Sequence, residues 1–481
     1  MQRITIIMSF LVILTLQSKA QNESDALRYS MLSPGGTARS VSMGSAFGAL
    51  GGDFSSLSIN PAGIGLYRSS EFTITPSFSL GKVGSTFYST SEEDIKYNFN
   101  VGNLGMVFAF NDPNQLKESG WMGFQVGFGL NRQANFNNRS IYEGFNTQSS
   151  LMTQYLDQAN AESNPLNPTG LDPFSTELAW ETFLLDTINQ NFFVDMESGN
   201  VMQRRETHNS GHIREIVLSF GANYSNRLYL GATFGFPRVN YESEYNYVET
   251  DSENHSQFFN SLEMNDRVKT TGGGFNFKFG AIFRATDMIR LGAAVHTPTF
   301  YDLEDQYRTS LESNFSFGNY DAESPNGRFD YELNTPLKFI GSLGLIFGTH
   351  GLLSFDYEYA DYTQMRLRSS SYMFTNENRI IANNFDVQHN FRVGGEIRLD
   401  PLILRAGYIL NSSPYKSGVN DAARTTLSGG IGIRDKNYFV DFGYYMTQFS
   451  EDYYPYSANL TQPVNYDYTR NGFMMTVGFR F

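Results

Sequence analysis

Paired runs of alternating apolar and polar residues are the sequence feature that most constrains the fold. From Met122 to Leu130 every second residue is apolar, and the residues between them are glycine or glutamine. Residues 213–236 repeat the pattern on both sides of the short turn 225–227. Because successive side chains of a β-strand point to opposite faces, this pattern predicts antiparallel hairpins with one apolar face.

Fourteen segments share this alternation, and an even number is typical of single-chain outer-membrane barrels. The predicted strands are 71–81, 98–110, 121–132, 213–224, 228–244, 267–285, 288–303, 328–347, 351–368, 384–399, 402–411, 424–434, 437–449 and 467–481.

The connections between these strands alternate in length. Tight turns are predicted at 225–227, 285–287, 348–351, 399–401 and 435–437, and long polar loops at 133–212, 245–266, 304–327, 369–383, 412–423 and 450–466. Outer-membrane barrels have short turns in the periplasm and long loops outside the cell. The expected fold class is therefore all-β, a transmembrane antiparallel β-barrel of about fourteen strands over residues 71–481, with its longest extracellular loop at 133–212.

Composition agrees with a membrane barrel. Aromatic residues make up 15% of the chain and there are 44 glycines, while the mean hydropathy is only −0.35. A spanning strand presents every second residue to lipid, so no long apolar segment is needed. The net charge of −14 disfavours nucleic acid as a partner, because nucleic-acid-binding proteins carry a basic face.

The first twenty residues have the organisation of a secretory signal peptide. Arg3 precedes the apolar run 4–16, and Ser18 and Ala20 form a small-x-small exit. We therefore expect residues 1–20 to be removed and the mature chain to begin at Gln21. A retained signal anchor is the alternative, but the run is shorter than the roughly 20 residues that a spanning helix needs.

Residues 21–70 lack the alternation and contain a compact Gly/Asn/Pro segment. Asp53 is expected to cap a short helix that ends before Asn60, because a residue that precedes proline disfavours the α conformation. Gly63 would allow the backbone to lie close to a neighbouring wall. We expect residues 21–70 to fill the lumen as a plug, which either seals the pore permanently or moves and leaves a path for a ligand.

The order GALGGDFSSLSINPAGIGLYR at residues 48–68 resembles the N-terminal hatch of the FadL/TodX family of outer-membrane transporters. Residues 284–300 are similar to a hairpin common in that family. The resemblance implies a fourteen-stranded barrel plugged by a hatch, passive transport of long-chain fatty acids or other hydrophobic compounds, and an exit that can be lateral, into the membrane. The hatch residues that it implies are Gly52, Asp53, Asn60, Pro61, Ala62 and Gly63.

The loop 133–212 carries two apolar stripes at helical spacing. One would follow Asp172–Pro173 and contain Phe174, Leu178, Leu185, Ile188 and Phe192; the other contains Leu151, Met152, Tyr155 and Leu156. Two helices of this kind either pack together and close the mouth of the pore or leave an apolar groove that captures a lipophilic solute. Leu178, Leu185, Ile188 and Phe192 are accordingly candidate ligand-binding residues.

Several arginines of the later strands are predicted to point into the lumen. Arg392 and Arg405 are candidates for binding a ligand carboxylate. If 400–401 forms a two-residue turn, Glu396 faces Arg405 across the hairpin, so that ion pairing within the wall is the alternative role.

The last strand ends in Phe481, and a terminal aromatic residue resembles the sorting signal of outer-membrane barrels. We therefore expect the barrel-assembly machinery, membrane lipid and lipopolysaccharide as partners.

The expected function is passive uptake, without an enzymatic step. The sequence contains neither a Gly-x-Ser-x-Gly elbow nor a His-Glu-x-x-His pair, so no catalytic residue, metal site or cofactor is predicted. Two alternatives remain: a surface adhesin or structural barrel with acidic loops, and a channel for heme. An adhesin has no need of a hatch or of apolar loop helices.

Overall fold

The computed structural model describes residues 22–33, 35–111, 120–196 and 199–481. The signal peptide predicted for residues 1–20 and the predicted start at Gln21 lie outside these ranges. Most of the turn predicted near 111–120 also lies outside them.

The described residues contain twenty-one strands. They are β1 (Glu71–Phe87), β2 (Thr90–Asn111), β3 (Trp121–Asn135), β4 (Asn138–Asn146), β5 (Asp186–Ile188), β6 (Asn191–Phe193), β7 (Val201–Tyr224), β8 (Leu228–Thr250), β9 (Phe259–Arg284), β10 (Ile289–His296), β11 (Phe300–Phe315), β12 (Gly318–Glu323), β13 (Gly327–Asn334), β14 (Lys338–Phe347), β15 (Gly351–Asp361), β16 (Arg366–Arg368), β17 (Val387–Leu399), β18 (Leu402–Asn411), β19 (Arg424–Arg434), β20 (Tyr438–Tyr453) and β21 (Val464–Arg480).

Short helices lie before the first strand and between later ones. They are α1 (Glu23–Ser30), α2 (Ala38–Ser42), α3 (Ser56–Ile59), α4 (Leu151–Glu162), α5 (Thr176–Glu181) and α6 (Thr375–Asn384), with 3-10 helices at Pro61–Leu66 and Tyr362–Gln364. Within the described ranges, no helix has the length and apolar character needed to cross a membrane.

All strands except β5 and β6 belong to one antiparallel sheet that closes on itself. Closure comes from β1, which pairs with β2 on one side and with β21 on the other. Some wall strands consist of consecutive pieces: β3 with β4, β10 with β11, β12 with β13 and β14, and β15 with β16. Counting each of these once gives fourteen wall strands, which confirms the predicted barrel.

Two predicted strands are interrupted at prolines. The strand predicted at 288–303 breaks between β10 and β11 around Pro298, and that at 328–347 breaks between β13 and β14 around Pro336. Proline has no N–H to donate to a neighbouring strand, so each ladder stops and restarts there. A third break, the 3-10 helix Tyr362–Gln364, divides the strand predicted at 351–368.

Several wall strands extend far into the ranges predicted as loops. β7 begins at Val201 and not at 213, β8 continues to Thr250, and β11 reaches Phe315. Beyond the membrane neither face of a strand must be apolar, so the alternation that marks a spanning strand is lost while the hydrogen-bond ladder continues.

The outward face of the wall is apolar and exposed. On β18, Leu404, Tyr408 and Leu410 are 39%, 45% and 41% exposed, whereas Arg405 and Ile409 between them are buried. The same alternation leaves large exposed side chains on the other late strands, including Phe391, Leu427, Phe442 and Phe473. An apolar exterior of this extent requires a lipid environment, so the barrel spans a membrane.

Phe481 follows β21 at the rim. The Phe481 backbone N–H donates to the Ser70 carbonyl at 3.0 Å, and Phe481 is 66% exposed. The ring is accessible to a partner, and the role predicted for it in assembly remains a prediction.

Candidate functional site: a lumenal cavity beside the hatch

Residues 22–70, called the hatch below, lie inside the ring of strands. The hatch contains α1, α2, α3 and the 3-10 helix Pro61–Leu66. Its atoms touch wall strands on all sides, from β3 and β7 through β8 and β9 to β19 and β20. A segment that meets the inner faces of strands all round a closed sheet occupies its lumen.

Asn60 ties two turns of the hatch to the wall. Its fully buried side-chain amide donates to the carbonyls of Gly48, at 2.6 Å, and of Ala281 on β9, at 3.2 Å. Its oxygen accepts from the Ala62 N–H at 3.1 Å, and Pro61 starts the 3-10 helix, where a missing N–H is harmless. Helix α3 ends at Ile59, as the Asn60–Pro61 pair predicts.

Asp53 joins the two halves of the hatch. Its carboxylate accepts the Thr37 hydroxyl, with O–O distances of 2.7 and 2.8 Å, and the Ser55 N–H at 2.9 Å. The bond to the Ser55 N–H caps the turn at residues 54–55 that leads into α3, whose own N-cap residue is Ser55. The chain needs a compact turn here, and Gly52 has a φ of +64°, in the left-handed region that favours glycine.

Gly63 and Ala62 lie where the hatch is most closely packed. Gly63 accepts a hydrogen bond from the Gly52 N–H at 3.1 Å, and a Cβ on Gly63 would lie 2.6 Å from Ser56 Oγ. Ala62 is fully buried and packs with Tyr229 and Ile282 of the wall. Of the six hatch residues implied by the family resemblance, Asn60, Pro61 and Ala62 pack against β8 and β9, whereas Gly52 and Asp53 bond within the hatch. Gly63 packs against Ser56 and Gly51 of the hatch, and not against the wall as predicted.

A belt of wall glycines receives the hatch. At each of these positions a Cβ would overlap an atom of the hatch: Gly105, Gly127, Gly129, Gly221, Gly231, Gly280, Gly292, Gly394, Gly407, Gly430 and Gly443. The belt explains the glycines of strand β3, because Gly127 and Gly129 make room for Leu57 and Phe54. Close approach of hatch side chains accounts for these two residues.

An ion network anchors α2 of the hatch to the wall. Arg39 donates to Glu396 at 3.0 Å, and Glu396 also accepts from Arg405 at 2.9 Å. Arg405 donates to Asp441 at 2.6 Å. Leu399 pairs with Leu402, so the register predicted for this hairpin is confirmed, together with the predicted Glu396–Arg405 pair. The Arg405 side chain is fully enclosed and does not line the cavity described next.

A cavity of about 140 Å³ lies between the hatch and the wall. Its apolar surface comes from Met31, Leu32, Ile59, Ile340 and Ile409. Four cationic residues also line it: Arg132, Lys338, Arg392 and Arg424. Arg392, a predicted ligand-binding residue, is therefore at the cavity, where it donates to Glu358 at 2.7 Å.

A vestibule of about 700 Å³ opens on the side of the long loops. Seven tyrosines line it: Tyr155, Tyr241, Tyr245, Tyr307, Tyr415, Tyr453 and Tyr468. Met31, Ser33 and Arg424 belong to the linings of both the vestibule and the cavity. The two spaces are therefore neighbours, separated by the hatch segment that follows α1.

The loop helices form a roof over the vestibule. Helix α4 is confirmed, with Leu151, Met152, Tyr155 and Leu156 on its buried face. The second predicted helix is largely wrong: α5 ends at Glu181, and residues 186–193 form the hairpin of β5 and β6. Asn189 and Gln190 both have positive φ, the geometry of a two-residue hairpin turn, and this turn separates Ile188 from the helix.

The four apolar candidates of this loop divide into two groups. Leu178, Leu185 and Phe192 are buried in one cluster with α4, although they come from a helix, a connection and a strand. Ile188 is 51% exposed at the outer surface. None of the four lines the cavity or the vestibule in the described residues, so their contact with ligand remains a prediction.

A single carboxylate holds the roof in place. Glu249, fully buried at the end of β8, accepts the Leu151 N–H at 2.8 Å, the Gln203 amide at 2.8 Å and the Tyr247 hydroxyl at 2.6 Å. It also accepts the hydroxyl of Ser150, the N-cap of α4. β8 is 23 residues long, more than twice what a spanning strand needs, so this end lies outside the membrane.

Burial raises the pKa of Glu249 in the folded roof. A raised folded-state pKa contributes stability that is complete below the unfolded value and is lost as the pH rises through the folded value. We therefore expect the denaturant midpoint of the roof to be higher at pH 4 than at pH 8. The chain has only two tryptophans, so in a Trp121→Phe background the fluorescence of Trp180 on α5 measures the unfolding of the roof. In Glu249→Gln the midpoint should no longer be higher at pH 4 than at pH 8. An unchanged difference between the two midpoints would assign the pH dependence to other groups.

The hydrogen-bond ladder between β2 and the third wall strand ends at the Asn103–Asn131 pair. Beyond the break at residues 136–137, the pairs found for β4 in the described residues are all with β7, and β4 meets β2 through the Arg139–Asp94 ion pair at 2.8 Å. A small cavity of about 40 Å³, called the seam, lies near the end of this ladder and is lined by Gly36, Phe78 and Gly102.

The seam adjoins the larger cavity. Ser33, Gly35, Gly36, Arg132 and Gln133 belong to the linings of both. Ser33 lines the vestibule as well, so this residue of the hatch borders all three spaces. The Ser33 N–H donates to the Gln133 carbonyl at 2.8 Å and fixes this segment to β3.

Solved structures with this arrangement are channels and transporters. A Pseudomonas aeruginosa FadL homologue superimposes with a TM-score of 0.57 and 12% identity over 94% of this chain and 100% of its own. The Pseudomonas putida toluene transporter TodX superimposes with a TM-score of 0.54 and 12% identity over 93% of this chain and 99% of its own. The chain has the FadL/TodX-type fold.

A third similar structure is the CymD monoaromatic hydrocarbon channel, with a TM-score of 0.50, 12% identity and coverage of 93% and 98%. Neither a family model nor a curated protein matches the sequence. The closed fourteen-stranded wall, its apolar exterior and the shared FadL/TodX-type fold together make this protein a multi-pass β-barrel of the outer membrane.

Sequence reasoning missed the residues that give the cavity its charge. Lys338, Glu358 and Arg424 belong to the inner face by the alternation of β14, β15 and β19, whose outward residues include Phe339, Tyr357 and Leu427. Alternation gives the face of a side chain but not its neighbours in the lumen, because those come from separate strands.

Proposed function

We propose that this protein is a channel for passive uptake of hydrophobic compounds, including long-chain fatty acids, across the outer membrane. One observation carries the proposal: the hatch segment around Ser33 meets the vestibule, the cavity and the seam, and Ser33 itself lines all three. A solute that enters at the loops can therefore reach the wall without passing the tightly packed part of the hatch.

The hatch acts as a gate only at this segment. The glycine belt and the Arg39–Glu396 pair fix the rest of the hatch, and moving it would break many close contacts. The segment around Ser33 is held to β3 by the Ser33–Gln133 bond. A shift of these residues would join the cavity to the seam and release the solute sideways, into the membrane.

The driving force is the concentration gradient, without a cofactor or an enzymatic step. Transfer of a hydrophobic solute from water to an apolar surface contributes about 0.8 kcal/mol per methylene, which fills the path even at low external concentration. The names of the similar structures, a toluene transporter and a monoaromatic hydrocarbon channel, describe those proteins and agree in kind with this proposal.

An uptake assay in a strain that has no other route tests the proposal. Cells that produce this protein should accumulate radiolabelled hexadecanoate or toluene faster than cells that carry an empty vector. Equal rates, with the protein folded in the outer membrane, would contradict a channel function.

A surface adhesin is the second candidate, favoured by exposed aromatic residues at the outer rim. Phe183, Phe258 and Phe317 are 51%, 46% and 58% exposed, and they lie near one another through Tyr320 and the Phe258–Phe317 contact. The adhesin reading predicts loss of cell attachment, with normal uptake, when these three residues are replaced by serine.

A further inference from the structure

Strand β12 (Gly318–Glu323) has a neighbouring strand on one side only. It pairs with residues 310–315 of β11, and the next wall strand ends at β16, which pairs with residues 332–334 of β13. In the described part of the chain, no strand pairs with the other side of β12. The wall strand formed by β10 and β11 begins at Ile289, and about 9–11 residues suffice to span a membrane, so β12 lies beyond the membrane on the side of the long loops.

The free side of β12 carries unused backbone hydrogen-bonding groups. The Ser324 N–H donates to the Thr309 carbonyl at 2.9 Å, so these two residues face each other as a hydrogen-bonded pair. In an antiparallel ladder such pairs recur at every second residue, and the residues between them turn their backbone groups away from the partner strand. The backbone N–H and C=O groups that point to the free side are therefore those of Asn319, Asp321 and Glu323. Among the described residues, none forms a hydrogen bond with these groups.

The side chains of β12 divide between two faces. Every second residue, from Asn319 to Glu323, is exposed on the outer face, whereas Tyr320 and Ala322 between them are half-buried and buried. The centroid of the Phe183 ring lies 4.6 Å from that of Tyr320, and Phe183 is 51% exposed. The inner face at this edge therefore offers accessible apolar surface.

The outer face around the edge is acidic. Asp321 lies directly opposite Glu312 on β11, and Glu312 lies directly opposite Glu263 on β9. All three residues are exposed, and like charges directly opposite each other are destabilising. Arg308 pairs with Glu323, but among the described residues no cation pairs with Asp321 or Glu312. A positively charged neighbour would relieve this repulsion.

We infer that the free edge of β12 binds an extended segment of another protein, in which basic residues alternate with apolar ones. The backbone of this segment exchanges hydrogen bonds with Asn319, Asp321 and Glu323 and so adds a strand to the sheet. Its basic side chains lie beside the carboxylates of the outer face, and its apolar side chains lie beside Tyr320 and Phe183.

The charge on the edge decides which segments it accepts. Proteins protect exposed strand edges with charged side chains, which hinder pairing with other chains. Here the charge of the outer face around Asp321 is acidic, so the edge repels an acidic segment and admits a basic one. This binding site is separate from the proposed channel and does not depend on it.

Binding of a synthetic peptide to the full barrel in detergent tests the site. The probe is a short fluorescent peptide of alternating lysine and valine, and its anisotropy should rise when it binds. The same peptide with glutamate in place of lysine should not bind. Hydrogen exchange at the backbone amides of Asn319, Asp321 and Glu323 should slow when the lysine peptide is bound, because the added strand occupies these groups.

Two substitutions of Asp321 separate the effect of charge from that of the backbone. Asp321→Lys should weaken binding of the lysine peptide about tenfold, because attraction becomes repulsion. Asp321→Pro should abolish binding, because proline has no N–H to give to an added strand, while the bonds from β12 to β11 remain. Asp302→Lys is the matched control, with the same change of charge as Asp321→Lys. Asp302 is exposed on β11, but β9 and β13 flank it on both sides, so the peptide should bind as before.

Four results would overturn this site. Two of them are equal binding of the two peptides and undiminished binding of the lysine peptide to Asp321→Pro. The third is binding that leaves exchange at the three amides unchanged, because the peptide would then lie elsewhere on the acidic surface. The fourth is a barrel that dimerises without peptide and becomes monomeric in Asp321→Pro, which would assign the edge to a second copy of this chain.

The uptake assay separates this site from the proposed function. Cells that produce Asp321→Pro should take up toluene and hexadecanoate at the wild-type rate. If they do and the wild-type barrel fails to bind the lysine peptide, the edge site is wrong and the channel stands. If the peptide binds as predicted but cells with the wild-type protein accumulate neither compound, the edge site stands and the channel function is wrong.

Discussion

Gly280→Val is expected to displace the hatch and open the barrel to small polar solutes. A Cβ at this position of β9 would overlap Asn60 Oδ1 and lie 3.2 Å from Pro61 Cδ. Overpacking of this kind costs about 1–3 kcal/mol. The bonds from Asn60 to Gly48 and Ala281 would be lost as well, at about 1 kcal/mol each.

The wall itself should survive this substitution. Gly280 pairs with Gly231 and Ala294 through its backbone, and valine is well suited to a strand. A closed ladder does not depend on the hatch for its hydrogen bonds. The expected result is a folded, heat-modifiable barrel that admits small sugars in a liposome-swelling assay, where the wild-type protein admits little.

Gly273→Val on the same strand is the control. The atoms nearest to its Cβ would be the Pro237 carbonyl at 3.6 Å and Arg238 Cγ at 4.0 Å, both ordinary contacts. Liposomes that contain this variant should swell no faster than those with the wild type.

Gly63→Val should reproduce the leak from the hatch side, because its Cβ would lie 2.6 Å from Ser56 Oγ. Normal sealing in both Gly280→Val and Gly63→Val would contradict the view that the glycine belt seats the hatch.

The wall of this barrel could be predicted because lipid imposes a periodic pattern. Each spanning strand shows an apolar residue at every second position, and the short turns follow directly, as at 225–227 and 435–437. The Glu396–Arg405 pair came from the same logic, since one two-residue turn fixes the register of β17 and β18. These features depend on neighbours in sequence or on one adjacent strand.

The cavity depends on residues that are distant in sequence. Lys338, Arg424 and Ile59 line it together only because two wall strands and the hatch converge, and alternation gives the face of each wall residue but not its neighbours across the lumen. The Leu178–Phe192 stripe shows the opposite error. Its spacing fits a helix, yet the Asn189–Gln190 turn places Ile188 and Phe192 in a hairpin. Phe192 nevertheless packs with Leu185, which precedes the hairpin, in one buried cluster.

Gly102→Leu is expected to close the seam and to stop uptake while the hatch stays in place. Gly102 lines the seam, and its Cβ would lie 3.4 Å from the Gly36 carbonyl and 3.6 Å from the Thr75 carbonyl, so the first carbon fits. The remaining atoms of a leucine side chain extend into a space of only about 40 Å³ and fill it. Uptake of hexadecanoate or toluene should fall close to that of the empty vector.

Liposome swelling and a control variant distinguish a closed exit from a damaged protein. Swelling with Gly102→Leu should stay as low as with the wild type, because the hatch is not displaced. Gly84→Leu on β1, whose Cβ would have no neighbour closer than 3.9 Å, should take up both compounds at the wild-type rate. Undiminished uptake by Gly102→Leu would exclude the seam as the exit and direct the path through the hatch, where Gly280→Val would then raise the uptake of hydrophobic solutes together with the polar leak.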